Sequence, residues 1–170
     1  MPDEIQQFLT AWEMEAQKTI RLLQSLPATQ YDFRPDQGGR SLGELAWHLA
    51  EVDAYIPYCI DLGRYDLQAR PPGIERPRTV EALAPGYQRL HREAAARVRK
   101  LKPADMDRTL QFFDGSDMTI RDQLWGALFC HLIHHRGQLT LMCRLAGGTP
   151  PGMFGPNREE MATMMKAAKA

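Results

Sequence analysis

Three histidines are the residues of this sequence whose type and spacing could do chemistry. His131 and His135 lie four residues apart within Cys130–Gln138, and His48 lies far upstream. Residues four apart on a helix are about 40° apart around its axis, so both rings can face one ion without bending the backbone. Three neutral imidazoles suit zinc, nickel, copper or iron(II), and they leave a coordination position open for water or substrate. The pattern therefore predicts a metal site formed by His48, His131 and His135.

Neighbouring side chains are candidates for supporting this site. Gln138, three residues after His135, and Arg136 could orient a ligand or a bound water from behind it. A helix-cap contact is an equal alternative for Gln138. Glu51, one turn after His48, is a tentative catalytic residue, because it could accept a hydrogen bond from that ring or carry a proton. The catalytic residues beyond the metal site are otherwise unassigned.

Other candidates are disfavoured by their position on the predicted helices. His134 lies on the opposite flank of His131 and is the one alternative to His135 as a ligand. His91, among charged neighbours, is expected to be an exposed helix residue without a role in function. Cys130 points about 100° away from His131, so it is disfavoured as a ligand or a nucleophile.

The composition is that of one globular domain, and we expect a single domain over residues 1–170. The sequence is 44% hydrophobic and 25% charged, and its 21 basic residues balance its 21 acidic residues. Such a chain can bury a core, and it has no net field that would attract nucleic acid. The sequence predicts no signal peptide, and it contains no run of about 18 apolar residues. We therefore expect a cytoplasmic protein with reduced cysteines that binds neither nucleic acid nor a membrane.

Hydrophobic periodicity predicts four long helices. Ser41 with Glu44 three residues later forms a capping-box signature at the start of the second helix, whereas Pro57 is expected to kink or end it. Gly147 is the predicted stop of the fourth helix, and Gly137 inside that helix suggests close approach of another backbone. Apolar stripes at helical spacing cover Ile5–Leu26, Leu45–Ile56, Leu83–Leu101 and about Ile120–Ala146.

The remaining segments predict small elements. Thr109–Phe113 and Met118–Ile120 flank Asp114–Gly115, a pair that supplies the positive φ angles of a tight turn, so a hairpin-like segment is expected. Asn157 followed by Glu160 predicts the start of a short C-terminal helix. With almost no other strand signal, the fold class is predicted as all-α. The expected architecture is an antiparallel four-helix bundle, with the hairpin-like segment before the last long helix.

Three segments, Gly39–Leu49, His131–Leu139 and Pro150–Pro156, resemble the DinB/YfiT family of metal-dependent helix-bundle proteins. The resemblance covers most of the chain, and its middle segment is the most specific. It implies one DinB-like helical-bundle domain with a site in a groove between helices. It also implies that His48 and the HxxxH pair match the ligands of the family's three-histidine site.

The same resemblance implies a function. Members of the family commonly bind nickel or zinc, often pair as homodimers, and include transferases and isomerases that use a low-molecular-weight thiol. The leading hypothesis is therefore a metal-dependent thiol S-transferase that acts on a small-molecule electrophile. One alternative is a metal-dependent hydrolase in which Glu51 shuttles a proton. The other is a non-enzymatic stress protein that binds a metal or small molecule, with Met161, Met164 and Met165 contacting a partner.

Overall fold

The first helix, α1, spans Glu4–Gln24 in the computed structural model, which describes residues 3–66 and 68–168. The Asp3 carboxylate begins the helix by accepting a hydrogen bond from the Gln6 backbone N–H at 2.8 Å. One face of α1 is apolar and buried, as the periodicity predicts. The helix ends close to its predicted end.

The second helix, α2, spans Leu42–Leu62. Ser41 Oγ accepts a hydrogen bond from the Glu44 backbone N–H, and the Glu44 carboxylate accepts one from the Ser41 backbone N–H. This predicted capping box satisfies two helix-terminal donors and determines where the helix starts. The helix does not end at Pro57. It continues to Gly63, whose φ of 73° forms a left-handed cap.

The third helix, α3, spans Leu83–Val98 and follows a 3-10 turn at Val80–Ala82. A second 3-10 turn covers Pro103–Asp107. The long connection between α2 and α3 is attached to α2, because the indole N–H of Trp47 donates a hydrogen bond to the carbonyl of Ile74 at 2.9 Å. The connection therefore contributes to the core instead of running free over the surface.

Two short strands follow α3. β1 spans Thr109–Gln111 and β2 spans Asp117–Thr119, and they pair antiparallel with Leu110 opposite Met118. Gly115 in the connecting turn has a φ of 86°, as the Asp-Gly pair predicts. The hairpin-like segment is thus a two-stranded sheet. The chain is mostly helical, and the prediction of a strictly all-α fold is wrong in this segment.

The fourth helix, α4, is continuous but not uniform. Its first turn, Ile120–Asp122, is α-helical, Gln123–Cys130 has π-helical hydrogen bonding, and His131–Leu145 is α-helical again. Gly147, with a φ of 85°, follows the end of the helix. The predicted bounds are therefore close to those found, whereas the π-helical segment was not anticipated.

A short fifth helix, α5, spans Arg158–Ala167. Asn157 begins it, since its side-chain oxygen accepts a hydrogen bond from the Glu160 backbone N–H at 2.7 Å. The helix is joined to α4 by two hydrogen bonds of 2.8 Å between the guanidinium of Arg144 and the carboxylate of Glu159. None of its described residues is buried.

The core lies between the four longer helices. α2 packs against α3 and α4, and α1 packs against the same two helices. An antiparallel four-helix bundle stays a prediction at this point. Within residues 3–66 and 68–168, no helix is both long enough and apolar enough to cross a membrane. The largest fully buried side chains include Phe8, Trp12, Leu22, Leu23, Leu42, Trp47, Leu49, Leu83, Tyr87 and Leu90.

Candidate metal centre

α2 carries His48 at the edge of its buried face. Leu45 and Leu49, on either side of it, are buried in the core. His48 keeps 17% of its side chain exposed. Its ring therefore lies at the boundary between the core and solvent, where a ligand of a reachable metal ion is expected to be.

α4 carries His131 and His135 at the start of its second α-helical part. Both rings are partly buried, and Leu132 and Leu139 beside them are buried. The preceding π-helical segment bonds residue i to i+5 instead of i+4, so it changes the face that later residues present. Such segments are frequent at functional sites. The π-helical segment therefore helps to set the direction in which both histidines point.

The three imidazoles converge from α2 and α4. The ring centroid of His48 lies 5.7 Å from that of His131 and 4.7 Å from that of His135. The centroids of His131 and His135 are 4.5 Å apart. One nitrogen of each ring can be chosen so that all three atoms lie within 4.8 Å of one another. Residues separated by more than eighty positions along the chain thus face a common point.

This set of nitrogen atoms fits a divalent transition metal. Zinc–imidazole bonds are about 2.0–2.1 Å long, which places tetrahedral ligand atoms about 3.4 Å apart. The observed spacing of up to 4.8 Å is wider, and small side-chain rotations would close the difference. Three neutral nitrogen donors suit zinc, nickel, copper or iron(II), and they leave at least one coordination position for another molecule.

The surroundings favour neutral imidazoles. Burial lowers the pKa of His135 to about 4, with smaller contributions from His48 and His131, although the hydrogen bond with Gln138 opposes this shift. Burial also lowers the pKa of His131, and the charges of His48 and Arg40 act in the same direction. An imidazole must be neutral to coordinate a metal. Both rings are therefore available as ligands at neutral pH.

Two side chains form hydrogen bonds with the outer nitrogens, Nδ1, of His135 and His48. His135 Nδ1 lies 2.7 Å from Gln138 Oε1, and His48 Nδ1 lies 3.2 Å from Glu51 Oε2. Both partners are oxygen acceptors, so Nδ1 is the donor in each pair and Nε2 is left for a metal. These contacts are those expected of residues that orient a ligand. The roles of Gln138 and Glu51 themselves stay predictions.

Arg136 does not contact the histidines, contrary to the prediction that it supports them. Its guanidinium forms a buried ion pair with the carboxylate of Glu15, and its Nη1 donates to the Glu15 carbonyl at 2.8 Å. Burial alone would raise the pKa of Glu15, but the hydrogen bonds from Lys18 and Arg136 lower it. Consecutive residues point about 100° apart on a helix. Arg136 therefore faces α1 while His135 faces α2.

His134 and Cys130 lie outside the convergence. His134 is exposed, and its ring centroid lies 5.0 Å from that of His135. It is not part of the group of nitrogen atoms that could hold one ion. Cys130 is exposed, whereas Cys59 and Cys143 are buried. The geometry therefore favours His135 over His134 as the third ligand.

The expectation that His91 is an exposed residue is wrong. It is 3% exposed, with Nδ1 2.7 Å from Asp53 Oδ2 and Nε2 3.1 Å from Glu13 Oε2. The fully buried Asp53 also accepts a hydrogen bond of 2.6 Å from the indole N–H of Trp12. Burial alone would lower the pKa of His91, but the carboxylates of Asp53 and Glu13 outweigh it and raise the pKa.

A weak signal for this polar network exists in the sequence. Asp53 lies one turn after Leu49 and three residues before Ile56, within the apolar stripe of α2. His91 likewise lies one turn after Tyr87, on the buried face of α3. A charged residue inside an apolar stripe is buried together with a partner more often than it is left unpaired. His91 was misjudged from its charged neighbours, and Asp53 was not considered.

Comparisons with known proteins agree with this fold. The chain matches the model of the DinB family over residues 1–169. It is 35% identical over 158 residues to the uncharacterized protein YrdA of Bacillus subtilis (strain 168), covering 91% of this chain and 90% of that protein. It is similar in structure to a DinB-like protein from Bacillus cereus ATCC 10987, with 25% identity, a TM-score of 0.74, and coverage of 91% of this chain and 100% of that one. The fold alone is also similar to the DinB-like protein YjoA from Bacillus subtilis, with 21% identity, a TM-score of 0.69, and coverage of 89% and 99%. This chain belongs to the DinB family.

Proposed function

We propose that the protein is a metal-dependent enzyme that transfers a low-molecular-weight thiol to a small electrophile. The observation that supports metal binding is the convergence of partly buried nitrogens from His48, His131 and His135. The thiol is suggested by the family resemblance, because characterised relatives include thiol-dependent transferases and isomerases. The donor set suits nickel and zinc along with copper and iron(II), and the resemblance favours nickel and zinc among these.

The residues around the site have separate tasks in this proposal. When bound, a divalent ion would supply Lewis acidity, which lowers the pKa of a thiol or of water. Glu51 and Gln138 hold the outer nitrogens of His48 and His135, so that the inner nitrogens keep their orientation. Glu51 is 44% exposed. It can therefore also pass a proton between the site and solvent.

Two further features belong to the proposal. The four longer helices are proposed to form an antiparallel bundle, which their mutual packing supports. The protein is proposed to pair as a homodimer, as the resemblance implies. Sedimentation velocity measures the second feature directly, because a monomer and a dimer of a chain of 19.3 kDa sediment at clearly different rates.

Metal analysis of protein prepared without an affinity tag tests the site. Wild-type protein should hold close to one ion per chain, whereas His48→Ala, His131→Ala and His135→Ala should hold almost none. His134→Ala is the matched control, because it removes an exposed imidazole next to the same site. Equal occupancy in wild type and His131→Ala would refute the site. Loss of metal in His134→Ala, with retention in His135→Ala, would instead identify His134 as the ligand.

Hydrolysis is the second candidate activity, and the exposed carboxylate of Glu51 beside His48 favours it. The same ion could activate water near neutral pH, with Glu51 moving the proton. Assays of small electrophilic esters and epoxides with and without added thiol separate the two reactions. Strict dependence on thiol, with no hydrolysis, supports transfer. Turnover without thiol that is lost in Glu51→Gln supports hydrolysis.

A non-enzymatic binding function has one observation in its favour. Met161, Met164 and Met165 are 44%, 59% and 56% exposed, on a helix that buries none of its described residues. Exposed methionines adapt readily to the surface of a partner. Saturable binding of small molecules without conversion, by metal-loaded protein, would favour this function. Catalytic turnover would rule against it.

A further inference from the structure

A groove of about 450 Å³ lies directly beside the candidate metal centre. His135 and Gln138 of α4 line one side of it, and Asp36 and Arg40 from the loop before α2 line the other. A volume of this order is typical of a pocket for a small organic molecule. The groove is therefore a candidate route by which a substrate reaches the three histidines.

Arg40 is the cationic side chain of this groove. Among the described residues it forms no hydrogen bond or salt bridge. Its neighbours differ, because Arg34 and Arg76 both pair with the carboxylate of Glu44, at 2.7 and 3.7 Å. An arginine without a carboxylate partner can present its planar guanidinium to an anion through two parallel hydrogen bonds. Arg40 is thus available for a ligand in a way that Arg34 and Arg76 are not.

Asp36 limits the charge that such a ligand can carry. Its Oδ1 accepts a hydrogen bond of 3.1 Å from the Gly38 backbone N–H, so its carboxylate is bound to its own loop. It nevertheless contributes a negative charge to the lining of the groove. One arginine and one aspartate in the same wall favour a monoanion such as a carboxylate over a phosphate dianion, which would need further donors to balance its charge.

Beyond Gln138, the wall of the groove on α4 is apolar. Leu141 and Leu145 lie one turn apart on α4 and are 61% and 56% exposed. Large aliphatic side chains exposed side by side in a concave surface are a common feature of ligand sites. They follow Gln138 along the helix, so an apolar ligand on this wall reaches toward His135.

We propose that this groove binds small carboxylates that have an apolar body, with the carboxylate on Arg40 and the body against Leu141 and Leu145. The carboxylate oxygens accept hydrogen bonds from the guanidinium, and the apolar chain covers the exposed leucines. This assignment names the substrate class of the metal-dependent site and rests on that proposed function. Binding of the carboxylate itself requires no metal.

Nuclear magnetic resonance titration of metal-free, isotope-labelled protein with hexanoate tests the assignment. Hexanoate should shift the backbone amide signals of residues lining the groove, and its neutral analogue hexanamide should bind at least tenfold more weakly. Arg40→Gln should weaken hexanoate binding at least tenfold without changing the weak binding of hexanamide. Leu141→Ser should weaken both ligands, because both share the apolar chain.

Arg92→Gln is the matched control, because Arg92 is an exposed arginine on α3 that does not line the groove. It should bind hexanoate as wild type does. Equal binding of hexanoate and hexanamide, unchanged binding in Arg40→Gln, or no binding by wild type at millimolar hexanoate would each overturn the assignment. Metal occupancy of the histidine variants is measured separately. If the histidine variants show that no metal binds, the hexanoate result still stands. If hexanoate does not bind, the metal result still stands.

Discussion

Removing the carboxylate of Asp53 should destabilise the protein strongly. Asp53 is fully buried and accepts hydrogen bonds from Trp12 Nε1 at 2.6 Å and from His91 Nδ1 at 2.7 Å. In Asp53→Ala both donors stay buried, because each belongs to a ring packed into the core. The glutamate Glu13, which is half exposed, can still bond the other nitrogen of His91.

The size of the effect follows from these two donors. A buried donor left without a partner costs about 1–3 kcal/mol, and breaking a buried ion pair by removing one partner costs about 3–5 kcal/mol. We therefore expect Asp53→Ala to lose about 3–5 kcal/mol of unfolding free energy. At about 3 °C per kcal/mol for a chain of this length, Tm falls by about 9–15 °C. Asp53→Asn keeps one oxygen acceptor, so its unfolding free energy should lie between that of the alanine variant and that of wild type.

Urea unfolding followed by circular dichroism measures this loss. Asp117→Ala is the matched control, since Asp117 is an exposed aspartate on β2 and its removal should change stability by less than about 0.5 kcal/mol. A loss below about 1 kcal/mol in Asp53→Ala would show that the network stabilises little. It would refute the reasoning, because no account of the two orphaned donors allows so small a value.

Two other predictions concern stability. The unfolding free energy of wild type relative to His91→Gln, measured by urea unfolding with a chelator present, should fall as pH rises above about 6.5. The reason is that the pKa of His91 is raised in the folded state. The stability that protonated His91 contributes is therefore complete below the ordinary imidazole pKa and is lost as the pH passes the higher folded-state pKa. A stability difference between wild type and His91→Gln that grows with pH would contradict this. Gly137→Ala should raise the unfolding free energy by about 0.5–1 kcal/mol, because Gly137 is exposed in α4 and an added Cβ would meet no atom within 4 Å. Gly43→Ala is the opposite control in thermal melts, and it should lower stability because its Cβ would clash with the ring of Tyr31. A loss of stability in Gly137→Ala would contradict the prediction for Gly137.

The helices could be predicted because their signals are local. Apolar spacing and the Ser41–Glu44 capping box depend on residues within one or two turns. The π-helical segment Gln123–Cys130 could not be predicted, because its eight residues are too few for apolar spacing to distinguish π-helical from α-helical hydrogen bonding. The close approach expected at Gly137 was wrong for a related reason. Whether a helical glycine allows another backbone to approach depends on which element packs beside it, and the sequence does not show this. At Gly137 an added Cβ would meet no atom within 4 Å.

The candidate site could also be predicted only where its signal is local. The HxxxH spacing of His131 and His135 is a local feature, whereas the arrival of His48 beside them depends on how α2 packs against α4. His48 was a candidate from its residue type, and the resemblance matched it to the third ligand of the family's site. Arg136 follows His135 in the sequence, but its guanidinium bonds Glu15 of α1. On a helix, consecutive residues face different neighbours.

The buried polar contacts explain how the histidines keep their orientation. α2 carries His48 at its solvent boundary and Asp53, bonded to Trp12 of α1, in its core. α4 carries His135 at the same boundary, next to Arg136, whose guanidinium is paired with α1 in the core. Rotation of either helix about its axis would separate a buried charge from its partner, which costs several kcal/mol. Hydrophobic contacts alone tolerate such rotation more easily, because they have no fixed direction. The polar core thus holds the two helices at the rotation that brings the histidine rings together.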